Sequence, residues 1–499
     1  PRVLDCPAMV RTLRIAHVTS ELTPFAKTGG LADVSAALPA FQREAGHDVR
    51  VFTPLHSVID RSAHSFEKVE ALSDLSLRLG VDRFSWSVSR APLPGTPLVV
   101  DFVDCPALYA RPRIYTNAPD EHRRFILLQR AALEACQRLG WSPDVVHCHD
   151  WQAGLIPLYL KTSYAWDDRF RATRTVLTIH NIGYQGRFPA EVLRDTGLEG
   201  GARWLHQGDL HLGVIGFLTT GILHAERITT VSPTYAEEIR TEPFGAGLHE
   251  LMRARGATLV GILNGVDTKA WNPRTDRHLP LRYSVKSLWR KQKNKEALLA
   301  DLGLRHEPAA PLLGMVTRLV GQKGIELLVQ PLPEALARSD LRVVVLGSGE
   351  PRFERFFAQL EASFPGRVRF HRGFDEQLAH RIEAGADMFL MPSLYEPCGL
   401  NQMYSLLYGT IPIVRRTGGL ADTVQLWNPR TEQGNGVVFD HPTPDGVRWA
   451  LQTALGLWRD RAVWKKLVRN AMSADFSWER AGRRYLELYE ELARSEAEV

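Results

Sequence analysis

Short runs of β-branched residues alternate with longer stretches of helical periodicity from residue 14 onward. This alternation is typical of a parallel sheet whose strands are joined by crossover helices. In the first half it predicts helices at Leu31–Glu44, His122–Leu139 and Trp151–Lys161. The strands predicted there are Arg14–Val18, Val49–Thr53, Leu98–Val103, Val145–Cys148, Thr175–Ile179 and Ile228–Val231. We therefore expect a doubly wound α/β domain.

The alternation pauses at Asn264–Arg277, where Asn-Gly and Asn-Pro pairs signal turns, and then resumes. The last amphipathic stretch, Trp478–Ala493, predicts a helix with no strand after it, and this helix is free to pack back on the first domain. The strands predicted in the second half are Leu312–Thr317, Arg342–Leu346, Val368–His371, Met388–Met391, Pro412–Val414 and Val437–Phe439. The predicted division is an N-terminal Rossmann-like domain over 10–263, a junction over 264–277, a C-terminal Rossmann-like domain over 278–474 and a C-terminal helical segment over 475–499.

Composition supports two domains and excludes several classes of function. A chain of 499 residues exceeds the roughly 250–300 residues at which one hydrophobic core stops growing. The formal charge of +5 comes without a long basic run, which argues against nucleic-acid binding. The longest apolar stretch, Leu212–Ala225, falls short of the ~20 residues that span a bilayer, so we predict a buried helix there and no membrane association.

The cysteines and carboxylates give no sign of a metal. Five scattered cysteines without a Cys-x-x-Cys pair fit a reducing compartment. Neither zinc-ligand spacing nor an Asp-x-Asp pair occurs. We therefore expect no metal and no other cofactor.

One hexapeptide, TGGLAD, occurs at 28–33 and again at 417–422. Each copy follows a predicted strand and precedes a helical pattern, which places both glycine turns at the carboxyl ends of strands, where open α/β sheets bind ligands. Lys27 adds a positive charge to the first turn, whose helix N-terminus attracts anions. A tight turn beside a solvated lysine remains the alternative.

Two later segments place charged residues at strand ends. Arg318 and Lys323 flank the start of a helix, an arrangement that suits a diphosphate. Glu396 follows another strand, in a turn stiffened by Pro397. Solvated surface cations and a simple helix cap are the alternatives, and Cys398 is interpreted as a packed thiol.

Histidines follow two strands of the first domain. His147 and His149 alternate onto one face of a strand, where buried or capping roles are favoured over a metal pair. His180 lies at the very end of the next strand and is the better functional candidate.

Together these segments resemble the glycogen and starch synthase family, in its bacterial glycogen synthase form, and in the order that this family has them. The resemblance runs from Arg14 to Glu479. The matching motifs are KTGGLAD at 27–33, HDW at 149–151, HN at 180–181, LNGVD at 263–267, TRLVGQKG at 317–324, EPCGL at 396–400 and TGGLAD at 417–422.

The resemblance implies a GT-B fold of two Rossmann-like domains with an interdomain cleft. It also implies transfer of glucose from ADP-glucose, favoured over UDP-glucose, to the non-reducing end of an α-1,4-glucan, with retention of configuration and without a metal. The implied catalytic residues are Glu396, His180, Arg318 and Lys323. The implied donor-binding residues are Lys27, Gly30, Arg318, Lys323, Phe374, Glu396, Cys398, Gly399, Leu400, Asn401 and Gly419. Those implied on the glucose and acceptor side are Asp33, Asp150, His180 and Asn264.

Three positions depart from common patterns. Asn401 stands where family members commonly have Thr, and Phe374 stands where Tyr is frequent near the nucleotide base. Tyr404 replaces a second glutamate found in many related glycosyltransferases, which matches the synthase branch.

Two other functions stay open at this point. A catalytically silent glucan-binding scaffold would be expected to lose Glu396 or the Arg318 and Lys323 pair, and all three are present. A glucan phosphorylase would need a lysine-bound pyridoxal phosphate. The sequence leaves open the donor base, the acceptor length, the oligomeric state and the source. We expect a cytoplasmic protein if the source is bacterial, and a plastidic one if it is a plant or alga.

Overall fold

The structure is a computed structural model that describes residues 11–494. The ends of the predicted ranges, at residue 10 and at 495–499, lie outside the described residues. The strands in chain order are β1 Arg14–Val18, β2 Asp48–Pro54, β3 Glu67–Lys68, β4 Leu75–Leu79, β5 Asp82–Pro92, β6 Val99–Asp104, β7 Val145–His149, β8 Arg174–Ile179, β9 Arg187–Pro189, β10 Val214–Gly216, β11 Arg227–Thr230, β12 Leu259–Gly261, β13 Leu312–Val316, β14 Arg342–Gly347, β15 Val368–Arg372, β16 Met388–Met391, β17 Ile411–Arg415 and β18 Val437–Phe439.

The α-helices in chain order are α1 Gly30–Glu44, α2 Pro106–Tyr109, α3 Glu121–Arg138, α4 Ile156–Lys161, α5 Leu193–Thr196, α6 Gln207–His211, α7 Phe217–His224, α8 Pro233–Glu238, α9 His249–Ala254, α10 Trp289–Asp301, α11 Pro331–Arg338, α12 Pro351–Ser363, α13 Glu376–Gly385, α14 Asn401–Tyr408, α15 Gly418–Thr423, α16 Pro444–Arg459, α17 Arg461–Met472 and α18 Trp478–Arg494.

The chain divides into two compact units, neither of which is one continuous segment. The first unit contains the chain up to Thr230, then Ile239–Ile262, and then Trp478 onward. The second contains Val231–Glu238 and Leu263–Ser477. Helix α8 therefore belongs to the second unit, which differs from the continuous 10–263 range predicted for the first domain.

The first unit is built on a mixed sheet with strand order β12-β11-β8-β7-β1-β2-β6-β5-β3, and β4 pairs with β5. Strands β1, β2, β6, β7, β8, β11 and β12 run parallel, and β5 pairs antiparallel with β6. The chain passes from β1 to β2 on one side and returns to β7 on the other. The topological switch point, where such sheets bind ligands, therefore lies between β1 and β7.

The second unit is built on a parallel sheet with strand order β15-β14-β13-β16-β17-β18. Here the order reverses between β13 and β16, so the loops after these two strands flank the switch point. Buried Val, Leu and Ile side chains from the strands and from α10, α12, α16 and α17 form one core.

The sequence predicts both parallel sheets well. Each predicted strand is present with its ends within one residue of the prediction, because apolar β-branched runs buried on both faces give a strong signal. The antiparallel β3, β4 and β5 were not predicted. The alternation in β5, which buries Trp86 and Val88 between polar residues, is the signal that could have revealed this ribbon.

The prediction of one buried helix over Leu212–Ala225 is wrong in its first part. Leu212 is 71% exposed and Gly213 has a φ of +70°, so the stretch opens with a turn and β10 before α7 begins. Within residues 11–494, no helix combines the length and the apolar character needed to cross a bilayer.

Helix α18 contributes to the core of the first unit and packs on α1. Its apolar face repeats every three or four residues, which is the spacing of one helix face. Gly482 permits the close approach, because a Cβ there would lie 2.2 Å from Cδ1 of Phe41. The buried residues of α18 are Trp478, Ala481, Gly482, Tyr485, Leu488, Tyr489 and Leu492.

We expect Gly482→Ala to lower the free energy of unfolding of the first unit by about 1–3 kcal/mol, because the new methyl group must displace the Phe41 ring. Gly456 in α16 is the matched control, since a Cβ there meets nothing within 4 Å. Gly456→Ala should raise stability by up to about 1 kcal/mol through helix propensity alone. Urea denaturation of both variants measures the difference, and equal shifts in the same direction would contradict the packing assigned to α18.

Candidate active site

The loops after β13 and β16 bring three of the predicted site residues to one end of the second sheet. Arg318 follows β13, Lys323 ends a 3₁₀ turn at Gly321–Lys323, and Glu396 follows β16. Because β13 and β16 are neighbours at the switch point, these side chains lie where a Rossmann-like sheet binds its ligand.

Lys323 and Glu396 form a direct ion pair. The Nζ atom of Lys323 lies 2.5 Å from Oε2 of Glu396, and the two side chains are 16% and 8% exposed. The hydroxyl of Ser393 donates to the same oxygen at 2.9 Å. Burial strengthens such a charge-assisted bond and fixes the carboxylate in one orientation.

The two loops are held together by main-chain contacts. The amide of Leu394 donates to the carbonyl of Gln322 at 2.9 Å. Gly324 has a φ of +66° and passes so close to Pro392 that a Cβ would lie 2.1 Å from its carbonyl oxygen. At the start of α14, the Asn401 side chain donates to the Val316 carbonyl at 2.6 Å. The Lys323 and Glu396 loops therefore form one rigid body.

The second glycine turn packs directly on the Glu396 loop. A Cβ at Gly418 would lie 2.0 Å from the Glu396 carbonyl oxygen, and one at Gly419 would lie 1.9 Å from that of Cys398. The amide of Gly419 donates to the Glu396 carbonyl at 3.1 Å. Only glycine fits here, and the Gly419 amide is engaged by protein.

Arg318 differs from Lys323 in that its guanidinium is not paired with a carboxylate of the described residues. Arg318 is exposed, and its guanidinium makes no hydrogen bond or ion pair with the part of the chain that the structure describes. Phe374 is 79% exposed after Gly373, so an apolar ring also stands in solvent in this unit. Gly399 and Leu400 immediately precede α14, which places their amides at a helix N-terminus.

Cys398 is a packed thiol, as the sequence indicated. It is buried, and burial raises the pKa of its thiol to about 12, which leaves it protonated and unreactive at neutral pH. Asn264, predicted on the glucose and acceptor side, lies beside Cys398 in the second unit. The carboxamide oxygen of Asn264 is buried without a hydrogen-bond partner among the described residues.

In the first unit, the turn between β1 and α1 is organised by Glu21, a residue that the sequence did not single out. Its carboxylate accepts hydrogen bonds from the Thr28 amide at 2.6 Å, the Thr28 hydroxyl at 2.6 Å and the Gly29 amide at 3.2 Å. The hydroxyl of Tyr115 donates to it at 2.7 Å. Glu21 is only 3% exposed, so these bonds replace its lost hydration.

The second TGGLAD turn is also held by a carboxylate. In the second unit, Oε1 of Glu238 accepts from the Thr417 hydroxyl at 2.8 Å and from the Gly418 amide at 3.0 Å. Thr417 and Gly418 are the counterparts of Thr28 and Gly29. Glu238 comes from α8, far from the turn in sequence, so no local sequence motif predicts this hydrogen bond.

Lys27 and Gly30 lie at the exposed end of the first turn. The Nζ atom of Lys27 lies 2.7 Å from Oδ1 of Asp33, with the side chains 44% and 26% exposed. Gly30 is exposed and is the first residue of α1. The predicted turn is therefore present at the start of α1, and its lysine is paired with an aspartate that is also accessible to solvent.

Asp150 sits directly after β7 in a strained backbone conformation. Its φ of 54° and ψ of −165° are values that residues other than glycine rarely adopt. The amide of His180 donates to its Oδ1 at 2.7 Å. Burial raises the pKa of the Asp150 carboxyl to about 7, although bonds from the amides of His180 and Asn181 act in the opposite direction.

His180 is the end of a buried group of histidines. Nε2 of His180 lies 3.0 Å from Nδ1 of His149, whose Nε2 lies 3.1 Å from Nδ1 of His17. His147 stacks on His149 with ring centroids 4.3 Å apart. Burial lowers the pKa of His180 to about 3 and of His17 to about 4, and lowers the pKa of His147 and His149 well below the usual value.

Two groups of described residues bring three ligand atoms within 4.8 Å of one another, the distance at which they are close enough to hold a metal. The first is His17, His147 and His149, and the second is His278, Glu376 and His380 in the second unit. In the first group each ring nitrogen already has a hydrogen-bond partner within residues 11–494. A metal there would have to displace those bonds.

Comparison with known proteins agrees with this geometry. The starch synthase catalytic domain family matches residues 14–254, and the glycosyl transferases group 1 family matches residues 303–471. Glycogen synthase 1 of Methylococcus capsulatus is 44% identical over 491 residues, which cover 96% of each chain. The glycogen synthase of Anaeromyxobacter dehalogenans is 45% identical over 487 residues, covering 96% of this chain and 100% of that protein.

Solved structures give the same result. The catalytic domain of starch synthase IV from Arabidopsis thaliana, bound to ADP and acarbose, matches with a TM-score of 0.90 at 34% identity, covering 97% of this chain and 100% of that one. A sucrose-phosphate synthase from Thermosynechococcus elongatus matches with a TM-score of 0.61 at 18% identity, which shows the fold alone. Since relatives more than 40% identical span nearly its whole length, the chain belongs to the glycogen and starch synthase family of glycosyltransferases and has the GT-B fold.

Proposed function

We propose that this chain transfers glucose from a nucleotide-glucose donor to the non-reducing end of an α-1,4-glucan, with retention of anomeric configuration. The observation that carries the proposal is the largely buried Lys323–Glu396 pair together with the exposed Arg318, on the two loops that flank the switch point of the second sheet. A structure similar to this chain was solved with ADP and acarbose, which favours ADP-glucose as the donor.

The leaving group is a nucleoside diphosphate, on which negative charge grows as the bond to glucose breaks. Arg318 binds this charge from an exposed position, and Lys323 reaches it from the ion pair with Glu396. Preorganised cations of this kind are typically worth ~10²–10³ in rate each. The amides of Gly399, Leu400 and Asn401, at the start of α14, add a positive end of a helix for the phosphates.

Glu396 orients the glucose and steadies its positive charge in the transition state. Lys323 and Ser393 already fix its carboxylate, so little reorganisation is needed when the donor binds. Cys398 and Gly419 contribute by shaping the loop around it. Phe374 offers an exposed ring on which the nucleotide base stacks.

Retention does not require a carboxylate nucleophile in this proposal. Asp150 is the candidate in the first unit, but its raised pKa and the amide hydrogen bonds to it leave it poorly suited to double displacement. The acceptor hydroxyl therefore attacks the face that the diphosphate leaves. His180 and Asp150 bind the glucose, Asn264 lines the glucose and acceptor side, and Lys27 and the Gly30 amide bind donor phosphate, with Asp33 holding Lys27 until the donor arrives.

The direct test supplies ADP-glucose and UDP-glucose, labelled in the sugar, together with a glycogen primer. We expect incorporation from ADP-glucose with the higher kcat/KM, and an α-1,4-linked product by NMR. Reactions without primer serve as the control. Absence of transfer from both donors, or a β-linked product, would overturn the proposal.

Arg318→Ala should lower kcat/KM by about two orders of magnitude while leaving the fold intact, because the side chain is exposed and makes no bond to the described protein. It is a cleaner probe than Lys323, whose removal leaves Glu396 without its cation. Arg459→Ala, an exposed arginine at the end of α16, is the matched control. Near-normal activity in Arg318→Ala would remove Arg318 from the phosphate site.

Lys27→Ala should raise the dissociation constant of the donor by roughly tenfold, the value of one charge-assisted hydrogen bond. Lys68→Ala is matched to it, because Lys68 is also an exposed lysine paired with an aspartate six residues later, Asp74. Isothermal titration with ADP-glucose, or with ADP, measures both. Equal affinities in the two variants would exclude Lys27 from the donor site.

A further inference from the structure

We propose that Gln42, His17 and His149 are positioning residues that decide which ring nitrogen of His180 carries its proton, so that Nδ1 of His180 accepts a hydrogen bond from a hydroxyl of the bound sugar. The sugar in this statement rests on the proposed function. The setting of the proton rests on the hydrogen-bonded chain alone.

The chain of side-chain hydrogen bonds runs without a break from Gln42 in α1 to His180, which follows β8. The Oε1 atom of Gln42 lies 2.8 Å from Nε2 of His17. Nδ1 of His17 lies 3.1 Å from Nε2 of His149, and Nδ1 of His149 lies 3.0 Å from Nε2 of His180. Gln42, His17 and His149 are fully buried, and His180 is 9% exposed.

Burial keeps these rings neutral, which is what makes the chain directional. With their pKa values lowered to about 4 for His17 and about 3 for His180, and well below the usual value for His149, none is charged at neutral pH. A neutral imidazole has one N–H donor and one acceptor nitrogen. Each ring therefore passes its donor and acceptor assignment to the next.

The assignment starts at Gln42, because an amide oxygen can only accept. Nε2–H of His17 donates to it, so Nδ1 of His17 must accept from Nε2–H of His149. By the same rule, Nδ1 of His149 accepts from Nε2–H of His180. Nδ1 of His180 is left with its lone pair, which suits a sugar hydroxyl.

A second line of hydrogen bonds holds the Gln42 amide in this orientation. Its Nε2 atom donates to the hydroxyl of Tyr489 at 3.4 Å, and that hydroxyl lies 2.6 Å from Nδ1 of His147. Nε2 of His147 in turn lies 2.5 Å from the hydroxyl of Thr178. Since Tyr489 accepts from Gln42, its own proton goes to His147.

The position of His180 suits an acceptor that must be set in advance. It follows β8, next to β7 and the switch point, and its main-chain amide is tied to the strained Asp150. Its backbone is thus fixed by Asp150, and its ring is fixed by His149. Asp150 and His149 leave room for either tautomer of His180. The tautomer is therefore set by the more distant Gln42.

The test reads the protonated nitrogen of His180 in the full chain by NMR with ¹⁵N-labelled histidine, with the His180 signals identified by their loss in His180→Asn. We expect Nε2 protonated and Nδ1 unprotonated. Gln42→Leu removes the end of the chain, and His180 should then populate both forms. Gln42→Glu keeps an acceptor at the same place and should keep the original pattern.

His147→Asn is the companion variant: His147 supports the Gln42 amide only through Tyr489, and the asparagine oxygen can still accept from Tyr489 and keep that support. It should leave the His180 signals unchanged. A protonated Nδ1 in the unaltered protein, or an unchanged His180 pattern in folded Gln42→Leu, would overturn the proposal.

Kinetics then test the link to the sugar. Gln42→Leu should lower kcat for glucosyl transfer roughly tenfold or more, as expected when an imidazole presents the wrong tautomer, whereas Gln42→Glu and His147→Asn should stay within about twofold. Altered tautomers with unchanged kcat would overturn the role of Nδ1. A lack of glucosyl transfer by the unaltered protein would instead refute the proposed function. The NMR result would still show whether Gln42 sets the tautomer of His180.

Discussion

Two carboxylates, the buried Glu21 and the half-buried Glu238, hold the glycine turns on which both halves of this molecule depend. Glu21 binds the hydroxyl of Thr28 and the amide of Gly29, and Glu238 binds the hydroxyl of Thr417 and the amide of Gly418 in the same way. A carboxylate taken out of water must be matched by donors, so each turn has one low-energy shape. The loop that carries Glu396 packs on the second of these turns and takes its position from it.

The second unit shows how a charged site can be stable before its ligand arrives. Lys323 and Glu396 neutralise one another, while Arg318 keeps its charge in solvent, where hydration makes it inexpensive. Binding of an anionic donor would exchange one partner of Lys323 for another rather than bury a new unpaired charge. The rigid main-chain contacts at Gly324 and Gly418 keep the pair in place during that exchange.

The sequence predicted the parallel sheets, the repeated turn and the strand-end residues, because each depends on residues adjacent in the chain. It did not predict Glu21, Glu238 or the chain from Gln42 to His180. These depend on side chains brought together from different strands and helices, for which neither spacing nor composition gives a signal. His17 has no motif around it, and its partner His149 is 132 residues away. The short β10 and the turn at Gly213 were missed because an apolar run does not by itself distinguish a strand from a helix.

The place of α18 has a consequence for how the chain folds during its synthesis. The first unit begins in the N-terminal part of the chain, yet Tyr485, Tyr489 and their neighbours complete its core and leave the ribosome only after the second unit. At about 5–20 residues per second, synthesis of the intervening second unit takes on the order of 10–40 s. For that time the α1 surface that α18 later covers stays open, and the Gln42 amide lacks its Tyr489 partner. The half of the protein that is made first is therefore the half that is finished last, and a premature stop anywhere before residue 478 would damage the first unit as well as the second.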